Sequence, residues 1–193
     1  VEETGSELAL TSGEKELVGL IGPNGAGKTT VFNLITGVYR PTKGNVIFAG
    51  KKMTGKRPYT ITARGIARTF QNIRLFSSLS VFDNVRTACN MHLRHGIAHA
   101  LVRAGGFARE EEEITKTIHE LLEIFGLLGD KDKSCRALPH GDQRRLEIVR
   151  ALATRPKLLL LDEPAAGMNP TEKLELMELI RFTKEKFGLA VLL

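Results

Sequence analysis

The stretch that decides how this chain folds is Gly22-Pro23-Asn24-Gly25-Ala26-Gly27-Lys28-Thr29. An apolar run, Leu17–Ile21, precedes it and suits a buried strand. After it, Lys28–Thr36 has the apolar spacing of a helix, and Gly37 is placed to end that helix. A glycine-rich loop between a strand and a helix can curl so that its N–H groups face phosphate oxygens, and the positive end of the helix dipole faces them too.

The loop therefore predicts a binding site for the phosphates of ATP together with Mg²⁺. Lys28 would supply a positive charge to the β- and γ-phosphates, and the Thr29 hydroxyl is a hard oxygen ligand suited to Mg²⁺. The residues expected to bind the phosphates are Gly22, Pro23, Asn24, Gly25, Ala26, Gly27, Lys28, Thr29 and Thr30.

Two acids follow the second informative stretch, Leu158–Leu161. Four leucines predict a buried strand, and ligands of open α/β sheets bind at the carboxyl ends of such strands. Asp162 would hold Mg²⁺ through water, and Glu163 would lie beside the γ-phosphate and polarise the attacking water. Alone, a strand that ends in Asp-Glu could equally cap a helix. Together with the glycine-rich loop, it favours ATP hydrolysis.

The rest of the chain shows further starts and stops of helices and strands. Ser80 with Asp83 three residues later indicates a helix start, and so does Asn169-Pro170 followed by Glu172. The additional predicted elements are strands at Asn45–Ala49 and Leu189–Leu193 and helices at Arg109–Phe125, Asp142–Thr154 and from Asn169 to about Gly188.

The order of these elements predicts an α/β fold with a parallel sheet. Residues 1–79 and 139–193 would form a P-loop core. Residues 80–138, which have mostly helical patterns, would form an inserted α-helical subdomain.

The composition is that of a globular protein with a basic surface. The formal net charge is +6, but the lysines and arginines are scattered, which favours a solvated surface over a nucleic-acid site. No apolar run reaches the length of a membrane span. Cys89 and Cys135 are far apart and lack metal-ligand spacing, so ordinary thiols are expected.

A third motif makes a family resemblance specific. Leu138-Pro139-His140-Gly141-Asp142-Gln143-Arg144-Arg145 opens a predicted helix shortly before Asp162, and it resembles the signature loop of ABC ATPases, usually Leu-Ser-Gly-Gly-Gln. The resemblance implies that this loop closes over the γ-phosphate held by a second subunit. The implied contact residues are Leu138, Pro139, His140, Gly141, Asp142 and Gln143. A simple helix cap is the alternative interpretation.

Two further segments fit the same family. Gln71 falls where ABC ATPases have the Q-loop glutamine, and the resemblance implies that it contacts Mg²⁺ and the attacking water. Ala166, Gly167, Met168 and Asn169 resemble the D-loop, which crosses the interface between two ATPase subunits. These resemblances place Glu163 and Gln71 in catalysis, and Thr29, Gln71 and Asp162 around Mg²⁺.

The resemblance is strongest to the ATP-binding subunits of branched-chain amino acid importers, the LivG type, through residues 68–76, 143–148 and 163–170. It implies an ATP-hydrolysing subunit, peripheral on the cytoplasmic face of the inner membrane. Its implied partners are a second ATPase subunit, transmembrane permease subunits and, indirectly, an extracytoplasmic binding protein, but no nucleic acid. A urea or amide importer of the same branch remains an alternative, as do an ABC ATPase of DNA repair or translation and a binding module without turnover.

The sequence also departs from the family pattern. Pro139 stands where most cassettes have serine, Asp142 where they have Gln or Glu, and Asn169 where aspartate is common in the D-loop. Residues 1–30 contain no aromatic side chain to stack on adenine, and no histidine follows Asp162. We therefore expect a cassette that is incomplete at both ends, with weak Mg-ATP binding and slow hydrolysis.

Overall fold

A computed structural model describes residues 13, 15–23, 25–92 and 106–193 of the chain. Its centre is a parallel four-stranded sheet in the order β1-β6-β5-β4. The strands are β1 (Leu17–Val18), β4 (Ile66–Arg68), β5 (Leu158–Leu160) and β6 (Ala190–Leu192). The predicted parallel sheet is confirmed, with Leu159 of β5 opposite Ala67 on one side and Val191 on the other.

Six α-helices lie within the described residues. They are α1 (Lys28–Ile35), α2 (Pro58–Ala63), α3 (Val81–Cys89), α4 (Gly106–Ile124), α5 (His140–Ala153) and α6 (Pro170–Phe187). Both predicted helix starts are confirmed. The Ser80 hydroxyl accepts a hydrogen bond from Asp83 N, and Asn169 and Glu172 form a complete capping box.

The prediction of a buried strand over Leu17–Ile21 is wrong in two respects. The regular strand covers Leu17–Val18, with one further bond from Leu20 N to the Leu193 carbonyl at 2.7 Å, and Ile21 is 97% exposed. Since β1 lies at the edge of the sheet and pairs only with β6 among the described strands, one of its sides is not covered by a neighbour. An apolar run alone does not distinguish an edge strand from a central one.

Residues 45–65 contain more structure than predicted. The expected strand at Asn45–Ala49 is shortened to β2 (Ile47–Phe48), which pairs antiparallel with β3 (Lys51–Lys52). Helix α2 follows and opens with Pro58 in its first turn, a signal that the sequence carried. Helix α2 packs against β4, the strand that follows it in the chain and leads to Gln71.

Two apolar cores hold these layers together. The smaller one includes Phe32 and Leu160 and joins α1 to the sheet. The larger one is continuous from α3 and α4, through Val85 and Ile118, to α5 and β5, through Leu146 and Leu159. The division of the chain into a core and an inserted helical subdomain stays a prediction, and residues 93–105 of that insert lie outside the described residues.

Candidate functional site

A cleft at the carboxyl ends of β4 and β5 brings together residues from three distant parts of the sequence. It is lined by Gly25, Gly27, Lys28, Thr29, Thr30, Gln71 and Glu163 and has a volume of about 240 Å³. That is smaller than the roughly 300–1,000 Å³ of pockets that enclose a whole small ligand. Its size suits a phosphate chain, and its lining combines one cation, two hydroxyls and one carboxylate.

The glycine-rich loop has the backbone shape that a phosphate needs. Gly25 and Gly27 have φ values of +84° and +83°, which side chains rarely allow, and no atom of the described residues lies within 4 Å of where a Cβ would stand. Gly27 caps α1 without a side-chain hydrogen bond, so the first N–H groups of α1 are available to an anion. Asn24, also predicted to bind phosphate, lies outside the described residues.

Lys28 begins α1, and its ammonium group turns back over the loop. Its Nζ donates hydrogen bonds to the carbonyl oxygens of Gly22 and Pro23, the latter at 3.3 Å. The cation is therefore held at the rim of the cleft by backbone carbonyls, which are weaker partners than an anionic phosphate. Thr29 and Thr30 are exposed beside it.

Glu163 faces Gln71 across the cleft. Gln71 Nε2 donates to Glu163 Oε2 at 3.2 Å, and both side chains are exposed. Glu163 has φ of +49°, a left-handed conformation that is strained for a residue other than glycine. The sharp bend after β5 thus holds the candidate general base in a specific direction, in hydrogen-bond contact with the candidate Q-loop glutamine.

Asp162 is not among the residues that line the cleft, and it is buried, 4% exposed. Its Oδ2 is 2.9 Å from Arg68 Nη2 on the neighbouring strand, in a buried ion pair. Sequence reasoning assigned no role to Arg68. Nothing in a linear reading pairs residue 68 with residue 162, and only the parallel register of β4 and β5 brings them together.

The residues present fit a Mg²⁺ ion that arrives with a nucleotide better than a metal bound by protein alone. Within the described ranges, no group of three or more His, Cys, Asp or Glu side chains could hold a metal. Mg²⁺ in nucleotide sites takes one or two protein oxygens and completes its shell with phosphates and water. The exposed Thr29 hydroxyl, the Gln71 side chain and the buried Asp162 carboxylate match that donor set.

The segment 70–76, which carries Gln71, is fixed to helices α5 and α3 by a set of polar contacts, most of them buried or partly buried, that we call the seam. Arg144, 7% exposed, donates to the carbonyl oxygens of Phe70, at 3.0 Å, and Gln71. Glu147 accepts a hydrogen bond from Arg74 N at 2.7 Å and pairs with Arg144 at 3.2 Å. The backbone on both sides of the Gln71 side chain is therefore held by α5.

Two further side chains complete the seam. Arg150 donates to the Arg74 carbonyl and stacks on the Phe76 ring at 4.9 Å. Asn84 of α3, fully buried, bonds both the N–H and the carbonyl of Phe76, at 2.9 and 3.0 Å. Burial raises the pKa of Glu147, against the lowering effects of the Arg74 N–H and of the Arg144 and Arg150 charges.

The candidate signature loop and D-loop lie next to each other and away from the cleft lining. Helix α5 starts at His140, two residues earlier than predicted, and Gln143 Nε2 bonds the Leu138 carbonyl at 2.9 Å. A Cβ on Gly167 would stand 3.2 Å from His140 Cε1, so the two loops touch. The other predicted residues of the two loops differ in exposure. Leu138 and Met168 are buried, and Pro139 and Asn169 are exposed. Half-buried positions are Gly141, Asp142 and Ala166.

A glycine loop at a helix N-terminus, facing an acid that follows another strand of the same parallel sheet, defines a P-loop nucleotide-binding domain. The chain belongs to the ABC transporter family, whose sequence pattern it matches over residues 6–166. ATP hydrolysis coupled to transport is the activity of that family. In the described part of the chain, no helix combines the length and the apolar character that crossing a bilayer requires.

The chain is similar to curated proteins over most of its length. It is 42% identical to the high-affinity branched-chain amino acid transport ATP-binding protein LivG of Salmonella typhimurium, over 97% of this chain and 74% of that protein. It is also 42% identical to BraF of Pseudomonas aeruginosa, over 93% of this chain and 71% of that protein. A dimeric ATP-binding cassette bound to ADP and Pi superimposes with a TM-score of 0.78 at 27% identity, over 95% of this chain and 75% of that one.

Proposed function

We propose that this ABC ATPase binds Mg-ATP in the cleft and hydrolyses it to power an importer of branched-chain amino acids. The observation that carries the ATPase step is the meeting of Lys28, Thr29, Gln71 and Glu163 around one cleft, although they come from three separate segments. The observation that carries the substrate class is the 42% identity to LivG and BraF over almost the whole chain.

Each residue has a specific task in this proposal. Lys28 and the first N–H groups of α1 bind and orient the phosphates. Glu163 Oε2 accepts a hydrogen bond from the attacking water, and the Gln71 amide, 3.2 Å away, orients both. Thr29, Gln71 and, through water, Asp162 would hold Mg²⁺, which would neutralise part of the phosphate charge.

The active unit would be a dimer of ATPase subunits. The exposed face of Pro139 and His140, with the N-terminus of α5 behind it, is available to a γ-phosphate held by a second subunit. Asn169 and Ala166 of the adjacent D-loop would contact the same partner. The relative in its dimeric state bound to ADP and Pi supports this arrangement.

The coupled membrane proteins would dock near the segment 70–76 on the cytoplasmic face of the membrane. Phe76 is 50% exposed and Arg74 is exposed, so one ring and one cation are available to a permease. Because the seam fixes this segment to α5, movement of Gln71 would reach the docking surface. An extracytoplasmic binding protein would supply the amino acid, and no nucleic acid takes part.

Uptake measurements test the proposal. Deletion of the gene should abolish high-affinity uptake of radiolabelled leucine, isoleucine and valine together, and the wild-type gene should restore all three. A second strain carrying Arg74→Glu should hydrolyse ATP but transport poorly, with Arg181→Glu, on the far helix α6, as the charge-matched control. Normal leucine uptake in the deletion strain, with loss of urea or amide uptake, would reassign the substrate.

A further inference from the structure

Arg68, on β4, connects two elements of the candidate site through one buried guanidinium group. Its Nη2 is 2.9 Å from Asp162 Oδ2, and both side chains are about 5% exposed. Its Nη1 donates to Asn33 Oδ1 at 2.6 Å and lies 3.4 Å from Thr36 Oγ1, both on α1. One cation therefore joins the helix after the glycine loop to the acid after β5.

Aromatic rings hold the guanidinium group in place. Its central carbon is 5.4 Å from the centre of the Phe32 ring and 5.0 Å from that of Phe70. The Arg68 Nε atom is buried and bonds no described residue, so the contacts do not satisfy every donor of the side chain. The side chain is thus oriented to pair with Asp162, although this orientation leaves its Nε–H without a partner in the described part of the chain.

A carboxylate as buried as Asp162 needs a compensating cation. Removing one partner of a buried ion pair is strongly destabilising, since the other charge stays behind without compensation. Within the described residues, the cation paired with Asp162 is Arg68, and it binds Oδ2 only. No described residue bonds Oδ1, so one oxygen of Asp162 is fixed and the other is left for a second cation.

We propose that Arg68 is the resident counter-ion of Asp162: it neutralises this carboxylate when no metal is bound and, by holding Oδ2, leaves Oδ1 for Mg²⁺. The inference rests on the proposed Mg-ATP site and adds a positioning residue to it. Because Arg68 and Mg²⁺ compensate the same charge, removal of Arg68 increases the stabilisation that Mg²⁺ provides.

Thermal unfolding with ADP plus EDTA and with ADP plus Mg²⁺ tests this linkage without relying on turnover. Arg68→Met should lower Tm in EDTA by about 10 °C. Its Mg²⁺-dependent rise in Tm should be at least about twice that of the wild type, while Arg68→Lys, which keeps the charge, should fall between the two. Arg144→Met is the matched control, because it breaks a similarly buried ion pair away from Asp162. It should lose stability without an enlarged response to Mg²⁺.

An equal Mg²⁺-dependent rise in wild type and Arg68→Met, or an enlarged rise in Arg144→Met as well, would overturn the inference. If Arg68→Met does not fold, the double variant Arg68→Met/Asp162→Asn decides. A folded double variant supports the counter-ion role, and an unfolded one contradicts it. A wild type that shows no Mg²⁺-dependent rise with ADP would instead count against the proposed Mg-ATP site itself.

Discussion

The cleft and the seam are two polar regions joined by Gln71, and they satisfy their polar groups in opposite ways. In the cleft, Thr29, Gln71 and Glu163 are exposed, and Glu163 sits on a strained backbone. In the seam, Arg144 and Glu147 are buried, and both Glu147 oxygens have partners. Groups that must meet a ligand stay open, whereas groups that fix the position of Gln71 are enclosed and paired.

This contrast predicts two kinds of mutant. Substitutions in the cleft should change binding or turnover and leave the stability of the fold nearly unaltered. Substitutions in the seam should first lower stability, since they leave a buried charge or N–H group without a partner.

The largest effect is expected for Glu163→Gln in the cleft. The amide cannot accept the proton of the attacking water, so turnover should fall by about 10²–10⁴-fold while ATP binding persists. The ATP-bound dimer should accumulate in the variant. Phosphate release and size-exclusion chromatography with ATP measure the two effects. Glu178→Gln, on the exposed side of α6, should behave like wild type, and wild-type turnover in Glu163→Gln would identify another base.

The next effect belongs to the seam. Arg144→Met should destabilise the protein by about 3–5 kcal/mol, because Glu147 and the carbonyls of Phe70 and Gln71 lose their buried partner. The adjacent Arg145 pairs with Glu175 at 2.8 Å at the surface, so Arg145→Met should lose no more than about 1 kcal/mol.

Urea unfolding of the two arginine variants measures the difference directly. Equal losses in both would mean that the seam is no more than a set of surface ion pairs. If Arg144→Met keeps its stability but changes turnover, Arg144 acts in the function of the cleft and not in the stability of the seam.

Local signals in the sequence predicted the helix starts, whereas contacts between segments far apart in the sequence were not predicted. The helix starts at Ser80 and Asn169 are confirmed, since a cap is a short-range hydrogen bond that a few neighbouring residues specify. The prediction of a buried strand over Leu17–Ile21 was wrong, because the burial of a strand depends on which strands lie beside it. The Arg68 pair depends on the register of β4 and β5, which no local pattern encodes.

For the site, the sequence named every residue that lines the cleft, and the structure brings those residues together. Their roles in binding and catalysis stay predictions. The seam was not predicted, because its contacts run from side chains of α5 to backbone atoms of the segment 70–76. Any residue has a backbone N–H and carbonyl, so such partners leave no trace in the sequence.

A smaller effect is expected for Lys28→Ala. Loss of a charged hydrogen bond to the β- and γ-phosphates should weaken ATP binding by about 2–3 kcal/mol. Stability should hardly change, since Lys28 bonds only carbonyls of its own loop among the described residues, and one of them, that of Pro23, is exposed. Titration with a fluorescent ATP analogue measures the affinity, with Lys173→Ala as control. An unchanged affinity in Lys28→Ala would remove the phosphate-binding assignment.

The smallest effect concerns the pH dependence of the seam. Burial raises the pKa of Glu147 above its ordinary 4.5, so the folded protein holds this proton at a pH where the unfolded chain has lost it. The contribution of Glu147 to stability is then complete below pH 4.5 and declines as pH rises through the raised value. Urea unfolding of wild type and of Glu147→Gln at a series of pH values from 4.5 upwards measures the contribution of Glu147 alone, because all other carboxylates are common to the two proteins. The stability of wild type relative to Glu147→Gln should decrease with rising pH. An increase would mean that the charges of Arg144 and Arg150 outweigh burial in the seam.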